Sequence, residues 1–279
     1  MAKRKHQPAV GRRKKRDSDA RTEHWLYGTH PVLAALANRA RTRRRLLATK
    51  EAASRLEARL AGADPRPEIV ERPALERVLP AGAVHQGLAL QVAPLEPVDL
   101  DVLASRLDAD APAAVVVLDQ VTDPQNVGAI LRSAAGFGAA AVVATERHAP
   151  PITGALAKAA AGALERVPLV GVPNLKRALD TLKARGFWCV GLDGAAERSL
   201  SEIEAGPRVA VVLGAEGRGL RRLTREQCDH LARIPTTDAI DSLNVAAAAA
   251  VTLYEVLGRG LGRGPGRGPG RGLGRGPGR

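Results

Sequence analysis

A chain of 279 residues is long enough for one large domain or two ordinary ones, with ample length for a core. Its two cysteines, Cys189 and Cys228, stand far apart and outside any Cys-x-x-Cys pair, which excludes a disulfide framework and leaves a zinc site unsupported. No apolar run nears the ~20 residues of a membrane span and no signal-peptide pattern is seen, so a soluble, cytoplasmic protein without a membrane partner is expected.

The net charge of +13 is concentrated at the ends. Residues 1–22 hold nine Lys/Arg against Asp17 and Asp19, and residues 258–279 hold six Arg and no acid, so the stretch between is balanced. Such tails suit a polyanion such as RNA, because each neutralised phosphate releases counterions. Residues 1–23 are polar and are expected to be disordered. Residues 258–279 repeat Gly-Arg-Gly-Pro or Gly-Arg-Gly-Leu, which cannot build a core and reads as a flexible cationic tail.

The body opens at Trp25. Thr29 is placed to cap a helix with Pro31 in its first turn and Val32, Leu33 and Leu36 on one side. The acid-free run Arg39–Lys50 reads either as an RNA face or as a solvated helix end. Leu46–Ala48, Glu68–Val70 and Gly87–Ala93 read as strands, and Glu51–Leu60 and Ala74–Leu79 as helices. Together, residues 24–94 suggest a small α/β domain. Residues 95–112, rich in Pro and Asp, read as a linker with a helical turn around Leu100–Leu107.

From residue 113 to 257 the pattern is regular. Strands are expected at Ala113–Leu118, Ala140–Ala144, Val167–Val170, Trp188–Leu192 and Val209–Leu213. Helices are expected at Val127–Phe137, Thr153–Ala163 and Asn174–Arg185. This alternation argues an α/β fold with a parallel sheet covered by helices on both faces. A last helix runs to about Leu257, with Ser242 as its expected N-cap, Gly258 as its stop, and Leu243, Ala247, Ala250, Tyr254 and Leu257 on its packing face.

Nucleotide signatures are missing. There is no phosphate-binding Gly-x-x-x-x-Gly-Lys-[Ser/Thr], no Gly-x-Gly-x-x-Gly after the first strand, and no metal-ligand cluster. Polar residues gather instead at three places. Leu118-Asp-Gln-Val-Thr-Asp-Pro-Gln-Asn-Val-Gly-Ala-Ile-Leu-Arg132 is a strand exit that turns into a helix. Val211-Val-Leu-Gly-Ala-Glu-Gly-Arg-Gly-Leu220 is a buried strand that ends in a glycine loop around Glu216. Arg233-Ile-Pro-Thr-Thr-Asp-Ala-Ile-Asp-Ser-Leu-Asn-Val245 precedes the last helix. In open α/β sheets, ligands bind beyond the carboxyl ends of strands.

In this order and spacing, the three stretches resemble the motifs of the SpoU/TrmH family of SPOUT RNA ribose 2′-O-methyltransferases. Tyr27-Gly-Thr-His-Pro-Val-Leu-Ala-Ala-Leu36 is similar to the L30e-like domain of its large-subunit rRNA guanosine subgroup. The resemblance implies S-adenosylmethionine as methyl donor, a C-terminal trefoil knot, a homodimer, and a ribose of 23S rRNA as acceptor. Other readings are a tRNA substrate or a non-catalytic assembly factor. By motif, Asn126, Arg132, Glu216, Ser242 and Asn244 would form the catalytic shell, with Gly214, Ile234 and Leu243 against the cofactor. In this reading Glu216 holds Arg132 or a substrate hydroxyl. The chain departs from the family at Thr236-Thr-Asp-Ala-Ile-Asp241, where many members carry a Met and a Gly.

Overall fold

The computed structural model describes residues 24–237, 239 and 242–258. The tails expected over 1–23 and 258–279 lie outside the described residues, apart from Gly258.

The first elements are β1 (His24–Tyr27), α1 (Thr29–Ala37), β2 (Arg43–Ala48), α2 (Lys50–Arg55), α3 (Glu57–Leu60), β3 (Pro67–Ile69), α4 (Arg72–Val78) and β4 (Leu88–Val92). Their strands form one sheet in the order β1-β4-β2-β3, in which β4 runs antiparallel to both neighbours and β2 parallel to β3. The short strand β1 is absent from the sequence reading; it is held by pairing with β4, which lies more than sixty residues away. Thr29 is the first residue of α1 rather than its cap. Gly28 takes that position at φ 89°, a conformation open to glycine. The single helix expected over 51–60 is interrupted at Leu56. Its start is fixed by the Thr49 side chain, which accepts the Ala52 N–H at 3.3 Å.

The expected linker holds α5 (Leu100–Arg106), capped by Asp99, whose carboxylate accepts the Val102 N–H at 3.0 Å. Beyond it come β5 (Ala113–Asp119), α6 (Pro124–Phe137), β6 (Ala141–Thr145), α7 (Gly154–Ala159), β7 (Leu169–Val172), α8 (Leu175–Ala184), β8 (Trp188–Leu192), β9 (Arg208–Gly214), α9 (Arg222–Glu226), β10 (His230–Ala232) and α10 (Val245–Leu253). A π-helical turn follows over Tyr254–Gly258. The six strands form one sheet, parallel throughout, in the order β10-β8-β9-β5-β6-β7.

The two-residue period of β5 explains its continuous apolar run. Ala114, Val116 and Leu118 join the core beneath α6, α7 and α10, while Val115 and Val117 join the core beneath α5 and α8. Helix α10 buries Val245, Ala249, Thr252 and Leu253, and leaves Ala247 and Tyr254 exposed. The face expected from Leu243, Ala247 and Tyr254 is therefore displaced, because a helix apolar all round carries no periodic signal.

The two sheets share a seam. Gly154, at the start of α7, meets β1 so closely that an added Cβ would lie 2.6 Å from the Trp25 carbonyl oxygen and 2.4 Å from the Tyr27 ring. Beside it Arg41 and Glu165 form a buried ion pair at 2.6 Å. Arg43 donates to the Leu36 carbonyl at 2.6 Å, and Arg45 pairs with Glu68 at 2.8 Å. Arg41 and Arg43 of the basic cluster thus tie into the fold, while Arg45 forms a surface pair and Arg39 and Arg44 are exposed.

Candidate active site

Three loops meet at the carboxyl ends of the central strands. The first leaves β5, whose Asp119 is fully buried, and enters α6 through Asp123, which accepts the Gln125 N–H at 3.0 Å. Pro124 at the first turn sets φ for the helix, and Asn126 follows within that turn. The second loop leaves β9 at Gly214 and doubles back, with the Gly219 N–H donating to the Ala215 carbonyl at 2.8 Å. The turn is so tight that a Cβ on Gly214 would sit 2.1 Å from the Gly219 carbonyl carbon. Gly217 and Gly219 have φ of 73° and 65°, which glycine adopts without strain. The third loop follows β10 and ends at Asn244, the N-cap of α10. Its Oδ1 accepts the Ala246 and Ala247 N–H groups at 2.9 and 3.3 Å. Ser242, expected as the cap, is exposed and two residues too early.

The Asn244 amide joins all three loops. Its Nδ2 donates to Asn126 Oδ1 at 3.0 Å and to Glu216 Oε1 at 2.6 Å. The Val245 N–H also donates to Glu216 Oε1, at 3.4 Å. Asn126, Glu216 and Asn244, separated by up to 118 residues in the chain, therefore form one cluster. Glu216 holds Asn244 and the start of α10, not Arg132. Arg132 is exposed on α6 and makes no hydrogen bond or ion pair among the described residues. It lies six residues beyond Asn126, roughly 120° away around a helix of 3.6 residues per turn.

Beside the cluster opens a cleft of about 920 Å³. Gly214, Ile234 and Leu243 all line it, as do Glu216 and Ser242. Its size and mixed walls suit a small organic ligand. Thr236 lines it too, whereas Asp238 and Asp241 of the family departure lie outside the described residues. The sequence reading missed Asp193, Gly194 and Arg218 in the same wall. An Asp-Gly turn directly after the strand Trp188–Leu192 was the signal that points to the first two. It missed a brace as well. Arg221 donates from Nε to Asp119 Oδ1 at 2.6 Å and from its backbone N–H to Oδ2 at 3.0 Å, which ties the end of the glycine loop to the end of β5.

Comparison with known proteins places this architecture. Residues 113–254 match the SpoU rRNA Methylase family, and residues 25–98 match the family described as RNA 2'-O ribose methyltransferase substrate binding. A 23S rRNA (guanosine-2'-O-)-methyltransferase of Coxiella burnetii is 44% identical over 173 residues, 62% of this chain and 69% of that protein. One from Pseudomonas putida is 37% identical over 235 residues, 83% of this chain and 95% of that protein. The crystal structure of the SpoU methyltransferase AviRb from Streptomyces viridochromogenes in complex with AdoMet superposes with a TM-score of 0.70 at 25% identity, covering 88% of this chain and 94% of that one. The chain belongs to the SpoU rRNA methylase family.

Proposed function

We propose that this protein transfers a methyl group from S-adenosylmethionine to the ribose 2′-hydroxyl of a guanosine in 23S rRNA. The observation that carries the reading is the Asn126–Glu216–Asn244 cluster at the edge of the cleft lined by Gly214, Ile234 and Leu243. The relatives named for this reaction support the acceptor.

The cleft fits the cofactor. Ile234, Leu243 and Ala248 give it an apolar wall, and Gly214 and Gly219 bare the backbone of the opposite one. When bound, S-adenosylmethionine supplies an electrophilic methyl group. The chain's task is then to hold the ribose oxygen in line, at ~3–3.5 Å from its target. Both hydrogens of the Asn244 amide are committed to Asn126 and Glu216. Asn244 accordingly orients the other two, and the Asn126 amide and the second Glu216 oxygen are left to meet the ribose. A guanidinium with a pKa above ~12 is a poor base. Arg132 serves instead as a phosphate or oxyanion contact.

Because Arg132 and Asn126 leave α6 on different sides, Arg132 is assigned to the site of a second copy in a homodimer. Exposed Val251 and Tyr254 on the neighbouring α10 flank, with Tyr254 edge-on to Phe137 at 6.1 Å, supply an apolar surface for that contact. The trefoil knot is proposed for residues 208–257. There the chain leaves central β9, builds edge strand β10 and returns as α10 over α6 and β9. Residues 24–94 are proposed to grip RNA, in the cytoplasm; among the described residues no helix is long and apolar enough to cross a membrane.

The test is methyl incorporation from labelled S-adenosylmethionine into unmodified 23S rRNA and tRNA, with Asn126→Ala alongside. Label in 23S rRNA that maps to a ribose and is lost in the variant is expected. Label in tRNA instead overturns the acceptor, and RNA binding without label overturns the enzyme.

A further inference from the structure

The carboxyl edge of the large sheet carries a second cleft, which the proposed reaction does not use. It measures about 410 Å³ and lies beyond β6 and β7, with Thr145, Arg147, Asn174, Lys176, Arg221 and Arg222 in its walls. Among the described residues, no carboxylate lines it. Lys176 and Arg222 have acidic neighbours one helical turn on, Asp180 at 3.3 Å and Glu226 at 2.6 Å, but these are exposed pairs that neutralise little.

Two features mark the cleft as built for an anion. Thr145 ends β6 at 8% exposure, and its Oγ1 is buried with no hydrogen-bond partner. A buried hydroxyl without a partner is disfavoured unless something supplies one. The ten-residue helix α8 also begins at this cleft. Asn174 caps its Arg177 N–H, and Asn174, Leu175 and Lys176 line the wall, so the positive end of the helix dipole lies there.

The cleft is also coupled to the candidate active site. The chain from Gly214 to Gly219 lines the cofactor cleft, and its continuation from Arg221 to Thr224 lines the second one. Arg221 is fixed between them by fully buried Asp119, yet its own side chain is 45% exposed. An extended polyanion with one nucleotide at Asn126 and Glu216 would pass over this shared wall.

We infer that the second cleft binds a phosphodiester group of the RNA flanking the methylated nucleotide. Thr145 Oγ1 and the α8 N-terminus donate to it, and Arg147 and Lys176 balance its charge, while Arg221, already paired with Asp119, shapes the wall between the two clefts. This rests on the RNA methyltransferase reading above.

The test uses the full chain, with Thr145→Val and the surface pair Arg147→Gln/Lys176→Gln. Steady-state transfer to unmodified 23S rRNA, filter binding of that RNA across salt, and S-adenosylmethionine affinity are measured for each. Thr145→Val is expected to raise the RNA KM about fivefold, as for one lost hydrogen bond, with no change in salt slope. The pair is expected to raise it about tenfold and to lower the salt slope by about one, as for one lost phosphate contact. In both, kcat and cofactor affinity should hold. Unchanged RNA KM and affinity, or a loss of cofactor affinity in their place, overturns the inference. Should Thr145→Val fail to fold by circular dichroism, the surface pair decides alone. A wild-type protein that binds RNA but transfers no methyl sinks the enzymatic reading, while the binding arm still judges the cleft. A wild-type protein that binds no RNA overturns both.

Discussion

Asn244 Nδ2 lies 2.6 Å from Glu216 Oε1, and this contact locks the glycine loop after β9 to the first turn of α10. Since Asn244 is also the α10 cap, one side chain serves both stability and site geometry. Asn244→Ala should cost about 1 kcal/mol of stability through the lost cap. Transfer should fall roughly 10²-fold through misplacement of Asn126 and Glu216. Asn244→Asp separates the two effects. It keeps the cap oxygen but sets a second carboxylate against Glu216 and loses both amide donations, so kcat should fall at least as far as in Asn244→Ala although the cap is retained. An active Asn244→Asp enzyme would show that the contact does not organise the site.

Gly214→Ala places a Cβ where the Gly219 backbone stands. The loop must open, and overpacking of this kind costs about 1–3 kcal/mol. Calorimetric titration should show S-adenosylmethionine affinity reduced at least tenfold, a 1.4 kcal/mol effect. The fold measured by circular dichroism should be retained. Gly136→Ala, where an added Cβ meets nothing within 4 Å, is the control and should bind normally.

The Arg41–Glu165 pair is buried on both sides, at 3% and 4% side-chain exposure. Glu165 also accepts from Asn38 Nδ2 at 2.7 Å, and Arg41 donates to the Ala93 carbonyl at 2.9 Å. Glu165→Ala strands a buried cation, which should cost about 3–5 kcal/mol in denaturant unfolding. Arg41→Met/Glu165→Leu should recover most of that loss, because it leaves no unpaired charge. Equal loss in both variants would mean that packing, not charge, holds the seam.

Burial, with Asp229 nearby, pushes the Cys189 thiol up to about 12, and burial pushes Cys228 up to about 12. A raised folded-state value contributes stability that is fully present below the ordinary 9.0 and is lost as pH rises toward 12. Both thiols should therefore resist a disulfide reagent at pH 8 until denaturant is added, and alkaline unfolding should begin above pH 9. Rapid labelling of the folded protein at pH 8 would contradict this.

If Arg132 serves the partner's site, the inactive variants Arg132→Ala and Asn126→Ala should complement each other. Mixed under subunit exchange, they should recover about one quarter of wild-type activity, since half the dimers are mixed and each has one intact site. No recovery in verified mixed dimers places both residues in one subunit's site.

The central architecture was legible because its signals are local. A strand such as Ala113–Leu118, buried on both faces, must be apolar throughout, and the turns around Asp123-Pro124 and Gly214–Gly219 need those residue types for backbone reasons. The same motif logic picked out Asn126, Glu216 and Asn244, which the fold brings into one hydrogen-bonded cluster. What stayed hidden is non-local. Strand β1 exists through its pairing with β4, and β10 through its pairing with β8. The alanine-rich α10 shows no preferred face until α6 and β9 select Val245, Ala249 and Leu253. The acid-free run Arg39–Lys50 reads as an RNA face or a solvated helix end, yet Arg41 turns inward to a carboxylate 124 residues away. Local patterning accounts for the strands and helices of the central sheet and for the polar strand-end stretches, because these follow from backbone preference and burial. Which charges face each other, as Arg41 faces Glu165, follows from the folded arrangement alone, since such pairing depends on distances that no local pattern encodes.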